Sequence, residues 1–187
     1  MDMNFLELAK KRKTTYEFGN KKIKDSDLKK ILEAGRWAPS CSNSQPWHFI
    51  IVKNNNLIEK LIMTANYGDF HNEPSVMIAG VLLQKRCIGK KFACYKGKDS
   101  GVYDSFMSIG MTILNMNLEA TSLGIDSCII TPKQESVKNL LRIMPQDYVP
   151  LILALGYEAK GAFHKKRERL SLKEITSKEV FNKNDTK

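Results

Sequence analysis

The sequence lacks any long apolar run, since its longest, residues 76–83, is too short to cross a lipid bilayer. It also lacks cysteines at the spacing of a metal site, because none of its four cysteines forms a Cys-x-x-Cys pair. The N-terminal stretch MDMNFLEL carries acids where a secretory signal carries bases. These absences predict a protein of the cytoplasm with no membrane span, no metal and free thiols at Cys41, Cys87, Cys94 and Cys128.

Positive charge is in excess: 30 lysines and arginines against 20 acidic residues give a formal net charge of +10. Such an excess is typical of nucleic-acid-binding proteins. The basic residues are nevertheless spread along the chain, and no RNA- or DNA-binding motif accompanies them. We therefore expect no nucleic-acid partner, and we expect only a few of these cations to bind something anionic.

Apolar periodicity predicts helices that alternate with strands, which is the pattern of one mixed α/β layer domain. The second helix is expected to begin with Asp25 as its N-cap and to end before Pro39, because a residue preceding proline avoids helical angles. The other helices are predicted at residues 4–13, 57–65, 102–123 and 134–144, and the strands at 47–53, 75–83, 125–131 and 149–157.

The predicted helix at residues 102–123 carries two apolar stripes. A helix that is apolar on two sides must be covered over most of its surface, so we expect a partner subunit to cover part of it. One stripe consists of Val102, Phe106, Ile109, Ile113, Met116, Ala120 and Leu123, and the other of Tyr103, Met107, Met111, Leu114 and Leu118.

Several short motifs occur in a characteristic order: RKTTYEF, APSCSNSQPWHF, LEATSLGI, PLILALGY and RERL. The order and spacing of these motifs, across about residues 4–181, resemble those of the FMN-dependent nitroreductase family. The most specific of the motifs is PSxxNSQPW. The resemblance implies an α+β fold, in which a mixed sheet is wrapped by helices, and an intertwined homodimer with FMN at the subunit interface. It also implies a single domain over residues 1–187, with residues 160–187 as a C-terminal arm on the partner subunit.

The resemblance assigns the FMN phosphate to both ends of the chain. Guanidinium groups can grip two phosphate oxygens at once, and the matching positions are Arg12, Arg167 and Arg169. Lys13 and Thr14 match neighbouring positions that contact the cofactor. No glycine-rich phosphate loop occurs in the sequence, so side-chain cations are expected to hold the phosphate.

Two further segments are implied to meet the flavin ring. The first segment supplies Pro39, Ser40, Cys41 and Asn43. The second segment, Ile129, Ile130 and Thr131, matches the one that passes the N5 edge, where a backbone N–H normally donates.

The sequence departs from the family pattern at two of these positions. Tyr16 stands where a basic residue usually lies beside the flavin pyrimidine, so we expect a somewhat lowered flavin potential. Thr131 stands where some members have a glutamate, which puts a mechanism based on that carboxylate in doubt. Either Asn66 or Asn72 could contact flavin O4, and the sequence leaves the choice open.

No catalytic triad, metal cluster or carboxylate pair is recognisable, which agrees with chemistry carried by a cofactor. The resemblance implies an oxidoreductase that takes hydride from NAD(P)H in a ping-pong scheme and reduces nitroaromatic, quinone or related electron-poor acceptors. Alternatives are dehalogenation, dehydrogenation or flavin fragmentation on the same fold, which residues 85–100 could direct, or non-enzymatic flavin binding. The choice between NADH and NADPH stays open.

Overall fold

The computed structural model describes residues 4–67, 70–87, 98–164 and 167–181. The helices are α1 Phe5–Lys11, α2 Asp25–Arg36, α3 Asn55–Ile62, α4 Gln84–Cys87, α5 Lys98–Ser122, α6 Gln134–Leu141 and α7 Leu172–Ile175. The strands are β1 Trp47–Val52, β2 Val76–Leu82, β3 Asp126–Ile130 and β4 Tyr148–Gly156. Every predicted helix and strand is present within a few residues of its expected bounds, and the short helices α4 and α7 were not predicted. The side chain of Cys87, the whole of Cys94 and most of the segment 85–100 lie outside the described residues, and the predictions of free thiols at Cys87 and Cys94 fall there.

The four strands form one sheet in the order β1-β2-β4-β3. Each neighbouring pair is antiparallel. Parallel pairing occurs in the described part of the chain only as isolated bridges, Thr14 with Ser127 and Glu17 with Asn72. The α+β class is therefore confirmed, and the parallel component of the expected mixed sheet is limited to these bridges.

Both faces of the sheet are covered. On one face, Ile31 of α2 and Ile113 of α5 pack on β2 and β4. On the other face, Leu61 of α3 and Val137 of α6 pack on the same strands together with Phe18. Strand β2 is buried along its whole length because it lies between both layers, as its unbroken apolar sequence predicts.

The two apolar stripes of α5 have different environments. The first is buried against the sheet from Ile109 to Ala120, with Ile109 and Met116 fully inaccessible, whereas Phe106 is 37% exposed. The second is open, with exposed fractions of 67% for Tyr103, 58% for Met107 and 47% for Leu114. The chain therefore buries one stripe by itself and leaves the other uncovered; the side chain of Val102 lies outside the described part.

Helix α2 packs closely on α5 through Gly35. A Cβ added at Gly35 would lie 2.2 Å from Met116 Cε, and Thr112 Oγ1 donates a hydrogen bond of 2.5 Å to the Gly35 carbonyl. The N-cap of α2 is Lys24, so the prediction that Asp25 is the N-cap is wrong. Asp25 lies in the first turn instead, where its charge is favourable for the helix dipole and where Lys53 Nζ is 2.5 Å away.

Among the described residues, none of the helices combines the length and the apolar character that a transmembrane segment needs.

Candidate functional site: a cationic edge of the sheet

The segment after α1 runs along the free edge of β3. Thr14 forms a parallel bridge with Ser127, and the Thr15 amide donates a 3.0 Å hydrogen bond to the Ser127 carbonyl. Phe18 anchors the segment because its ring is buried against Gly156, where a Cβ would lie 2.6 Å from Phe18 Cδ1. Arg12, Lys13 and Thr14 are thereby held at the edge of the sheet where β3 begins.

Three arginines meet at this edge, and we call Arg12, Arg167 and Arg169 the arginine cluster. Arg167 Nη2 donates to the Lys10 carbonyl at 2.9 Å, and Arg167 Nη1 donates to the Arg12 carbonyl. Burial lowers the pKa of Arg12, and the nearby charges of Arg167 and Arg169 lower it further. Like charges this close repel one another, and a bound anion would relieve the repulsion. The structure thus brings together the three predicted phosphate ligands.

Lys13 points into a different group of charges. Its ammonium lies 2.5 Å from Glu158 Oε2, 3.8 Å from Asp126 Oδ1 and 3.2 Å from His164 Nε2. His164 Nε2 also contacts Oε1 of Glu158. Burial alone would raise the pKa of Glu158, but Lys13 and His164 together hold it below its ordinary value. We call these four residues the Lys13 cluster. A contact between Lys13 and FMN stays a prediction, since its ammonium lies among carboxylates.

Tyr16 lies next to a buried thiol. Its ring meets that of Phe70 edge-on at 5.6 Å between centroids, and its backbone carbonyl accepts from the His71 amide at 3.1 Å. Burial, followed by the neighbouring thiol of Cys128, raises the pKa of Tyr16. Burial raises the pKa of Cys128 to about 11. Both groups are therefore neutral at pH 7, so neither replaces the basic residue that family members usually carry.

The far end of β3 presents backbone together with the side chain of Ile129, which is 39% exposed. The Ile130 side chain is buried in the core, so only its backbone could reach a ligand, whereas Thr131 is exposed. The Asn66 amide donates to the Thr131 carbonyl at 3.0 Å, which places Asn66 at this end. Asn72 pairs with Glu17 nearer the arginine cluster. Both asparagines thus flank the same edge.

The segment before β1 is a loop with unusual backbone angles. Ser42, Asn43 and Gln45 have φ values of 50°, 52° and 46°, a left-handed region that residues other than glycine seldom adopt. The Gln45 amide donates to Ser40 Oγ at 3.0 Å, which holds the turn closed. We call residues 39–45 the strained loop. Such strain is common at ligand-binding sites, and Asn43 at its tip is exposed.

The strained loop lies at the opposite corner of the sheet from the arginine cluster. Ser127, at the arginine end, is paired with Leu155, whereas Trp47, after the strained loop, is level with Tyr148 through β2. Leu155 and Tyr148 are about 24 Å apart along β4, and β1 and β3 are separated by roughly 14 Å across the sheet. Within one chain, the predicted phosphate ligands and Asn43 are therefore roughly 25 Å or more apart. The sequence-predicted site residues form two separate groups.

Cys41 connects the strained loop to the open stripe of α5. It lines a shallow cavity of about 440 Å³ together with Met107, Met111 and Leu114. The face that carries the strained loop is therefore the same face that the chain leaves uncovered.

The profile of the Nitroreductase family matches residues 9–68 and 64–157. The chain belongs to the nitroreductase family. A nitroreductase family protein of Clostridium difficile superposes with a TM-score of 0.80 at 27% identity, over 96% of this chain and 100% of that one. One from Streptococcus pneumoniae has a TM-score of 0.80 at 26% identity, over 94% and 100%. A protein of Archaeoglobus fulgidus, provisionally named NADH dehydrogenase/NAD(P)H nitroreductase, is 28% identical over 158 residues, which are 81% of this chain and 84% of that relative.

These comparisons confirm the nitroreductase fold and place the chain in a family of oxidoreductases.

Sequence reasoning missed one feature of the site, the partners of Lys13. Asp126, Glu158 and His164 all lie far from Lys13 in the chain, and no local motif predicts that they meet it. Among the residues that the structure describes, no group of three His, Cys, Asp or Glu side chains is arranged to hold a metal ion.

Proposed function

We propose that this nitroreductase binds FMN and uses NAD(P)H to reduce flat, electron-poor acceptors such as nitroaromatics or quinones. The observation that carries the proposal is the arginine cluster. Three guanidinium groups that repel one another are held at one sheet edge, and that donor set suits a phosphate dianion. A C. difficile protein named FMN-dependent nitroreductase shares the fold, with a TM-score of 0.70 at 19% identity over 95% of this chain.

The edge of β3 suits the rest of the cofactor as well. Ser127 and Ile130 are about 10 Å apart along the strand, so a ligand bound to the arginine cluster can extend beside Thr14 and Tyr16 towards Thr131. The Arg12 and Arg169 side chains and the remaining N–H groups of Arg167 would hold the phosphate. The backbone around Ile130 and Thr131 would meet the ring. Bound FMN would supply the hydride chemistry, and the protein would orient the ring and keep it from water.

The strained loop would complete the site from a second subunit. One FMN cannot contact both the arginine cluster and Asn43 of a single chain, because they lie at opposite corners of the sheet. The open stripe of α5 and the exposed apolar side chains of residues 170–181 offer the surface that a dimer would bury. We therefore assign Pro39, Ser40, Cys41 and Asn43 to the ring of the partner's FMN, with residues 160–187 as an arm that packs across the dimer.

The absorption spectrum of the purified protein tests the proposal. We expect an oxidised-flavin spectrum, release of FMN on heating, and oxidation of NADH or NADPH that depends on menadione. A colourless protein that takes up no added FMN would contradict the proposed function. A yellow protein that oxidises neither nicotinamide would favour a specialised reaction on the same fold.

A further inference from the structure

Glu158 projects from a fixed point at the end of β4. It forms an antiparallel bridge with Phe18, and the next residue, Ala159, donates its amide to the Glu17 carbonyl at 2.9 Å. Its own amide donates to Asp126 Oδ2 at 3.0 Å. Because the backbone is held on two sides, the carboxylate of Glu158 is a rigid anchor for anything that binds it.

The chain turns after Glu158 and returns to it. The Ala162 amide donates to the Ala159 carbonyl at 3.2 Å, and Gly161 has a φ of +85°, which favours glycine. The turn brings His164 Nε2 against Glu158 Oε1, a buried oxygen for which His164 is the one polar side chain that the described part of the chain offers. A carboxylate can only accept, so this contact is a hydrogen bond in the form of His164 that carries a proton on Nε2.

The other carboxylate oxygen holds the N-terminal motif. Lys13 Nζ is 2.5 Å from Glu158 Oε2, and Lys13 directly follows Arg12. A few residues beyond His164, Arg167 caps the carbonyls of Lys10 and Arg12 at the C-terminal end of α1. The carboxylate of Glu158 therefore contacts both segments that supply the arginine cluster. It meets Lys13, which directly follows Arg12, and it meets His164, which precedes Arg167 and Arg169.

We propose that Glu158 is a positioning residue that assembles the arginine cluster. Through Lys13 it fixes the segment of Arg12, and through His164 it fixes the base of the C-terminal segment, so that Arg167 and Arg169 meet Arg12. Glu158 does not itself contact the ligand. Only the effect on FMN affinity rests on the proposed function, because the anchoring of the C-terminal segment is a property of the protein alone.

The test compares E158Q with D25N. Glutamine keeps the size of the side chain but removes the charge that attracts Lys13 and His164. D25N removes the carboxylate of the exposed Lys53–Asp25 pair, which lies at the β1 edge of the sheet, whereas the arginine cluster lies at the opposite, β3 edge. In protein stripped of FMN, we expect trypsin to cleave within residues 160–173 roughly 5-fold faster in E158Q, because a lost anchor worth about 1 kcal/mol opens the segment more often. FMN affinity should fall about 10-fold in E158Q, and D25N should match the wild type in both measurements.

The variant H164Q removes the contact between His164 and Glu158 from the side of the histidine. Because this side chain is exposed, we expect a smaller increase in cleavage than in E158Q. If both residues act through one contact, the double variant E158Q/H164Q should cleave no faster than E158Q, which is the non-additivity expected of a coupled pair. Unchanged cleavage in E158Q and H164Q would overturn the proposal, whatever happens to FMN affinity. A wild-type protein that binds no FMN would refute the proposed function, while the cleavage rates of the stripped protein would still decide the role of Glu158.

Discussion

The two groups of predicted site residues, the arginine cluster and the strained loop, differ in how firmly contacts within one chain fix them. The arginine cluster lies at the β3 edge, where backbone bridges, the α1 carbonyls and Glu158 fix it within one chain. The strained loop lies at the β1 corner beside the uncovered stripe of α5. The difference teaches that one chain completes only half of the proposed FMN site, the phosphate half. In the proposed dimer, a second copy would supply the ring half.

Separating the subunits of the proposed dimer should cause the largest loss of FMN affinity. We expect L114E to convert a dimer into monomers, because it places a charge in the centre of the open stripe of α5. FMN affinity should fall by about 100-fold or more, since each site loses the loop of its partner. Light scattering and FMN titration check this, with M63E as the control at another exposed apolar position. A monomeric L114E that binds FMN normally would show that one chain suffices.

Removing one guanidinium tests the phosphate half alone. We expect R12M to weaken FMN binding about 10- to 100-fold, because a charge-assisted hydrogen bond contributes about 1.5–3 kcal/mol. The protein should remain a dimer, and riboflavin, which has no phosphate, should bind R12M and wild type equally. K60M, at an exposed lysine of α3, is the control. Equal losses for FMN and riboflavin would argue against a phosphate contact.

The ring half should be sensitive to Asn43. We expect N43D to weaken binding about 10-fold, because it replaces an amide donor with a charge beside the polar edge of the ring. Aspartate tolerates the left-handed φ of 52°, so the loop should keep its shape. Here the losses for FMN and riboflavin should be the same, in contrast to R12M. N139D, on the exposed surface of α6, is the control.

The packing of α2 on α5 should be sensitive at Gly35. We expect G35A to destabilise the protein by about 1–3 kcal/mol, because the new Cβ would overlap Met116 Cε. Urea unfolding measures the change, and G19A is the matched control because its Cβ would meet neighbours only at 3.6 Å. If G35A were as stable as G19A, the close packing of α2 on α5 would not be rigid.

The smallest effect concerns pH. The pKa of Glu158 is lowered in the folded protein, so its contribution to stability is present above the ordinary value of 4.5 and is lost as pH falls through the folded value. The stability difference between wild type and E158Q should therefore be greatest near pH 7 and shrink below about pH 4. A difference that is constant with pH would mean that the charge of Glu158 is not what matters.

Much of the fold could be predicted from the sequence because periodicity reports burial directly. The two stripes of α5 and the continuous apolar run of β2 appear in the structure as expected. Pairing directions and long-range ion pairs are set by tertiary contacts, so the antiparallel sheet and the partners of Lys13 could not be predicted. The proximity of Arg12 to Arg167 followed from the family resemblance, since no local pattern links residues at opposite ends of a chain.

A mixed dimer tests the central claim most directly. Subunits carrying R12M and N43D can be given different tags, co-expressed and purified as the heterodimer. If each FMN uses Arg12 of one subunit and Asn43 of the other, one site carries both defects and the other none. We predict one tightly bound FMN per heterodimer, with wild-type affinity. Two weakened sites and no tight one would contradict the account, because they would mean that Arg12 and Asn43 of the same chain hold the same FMN.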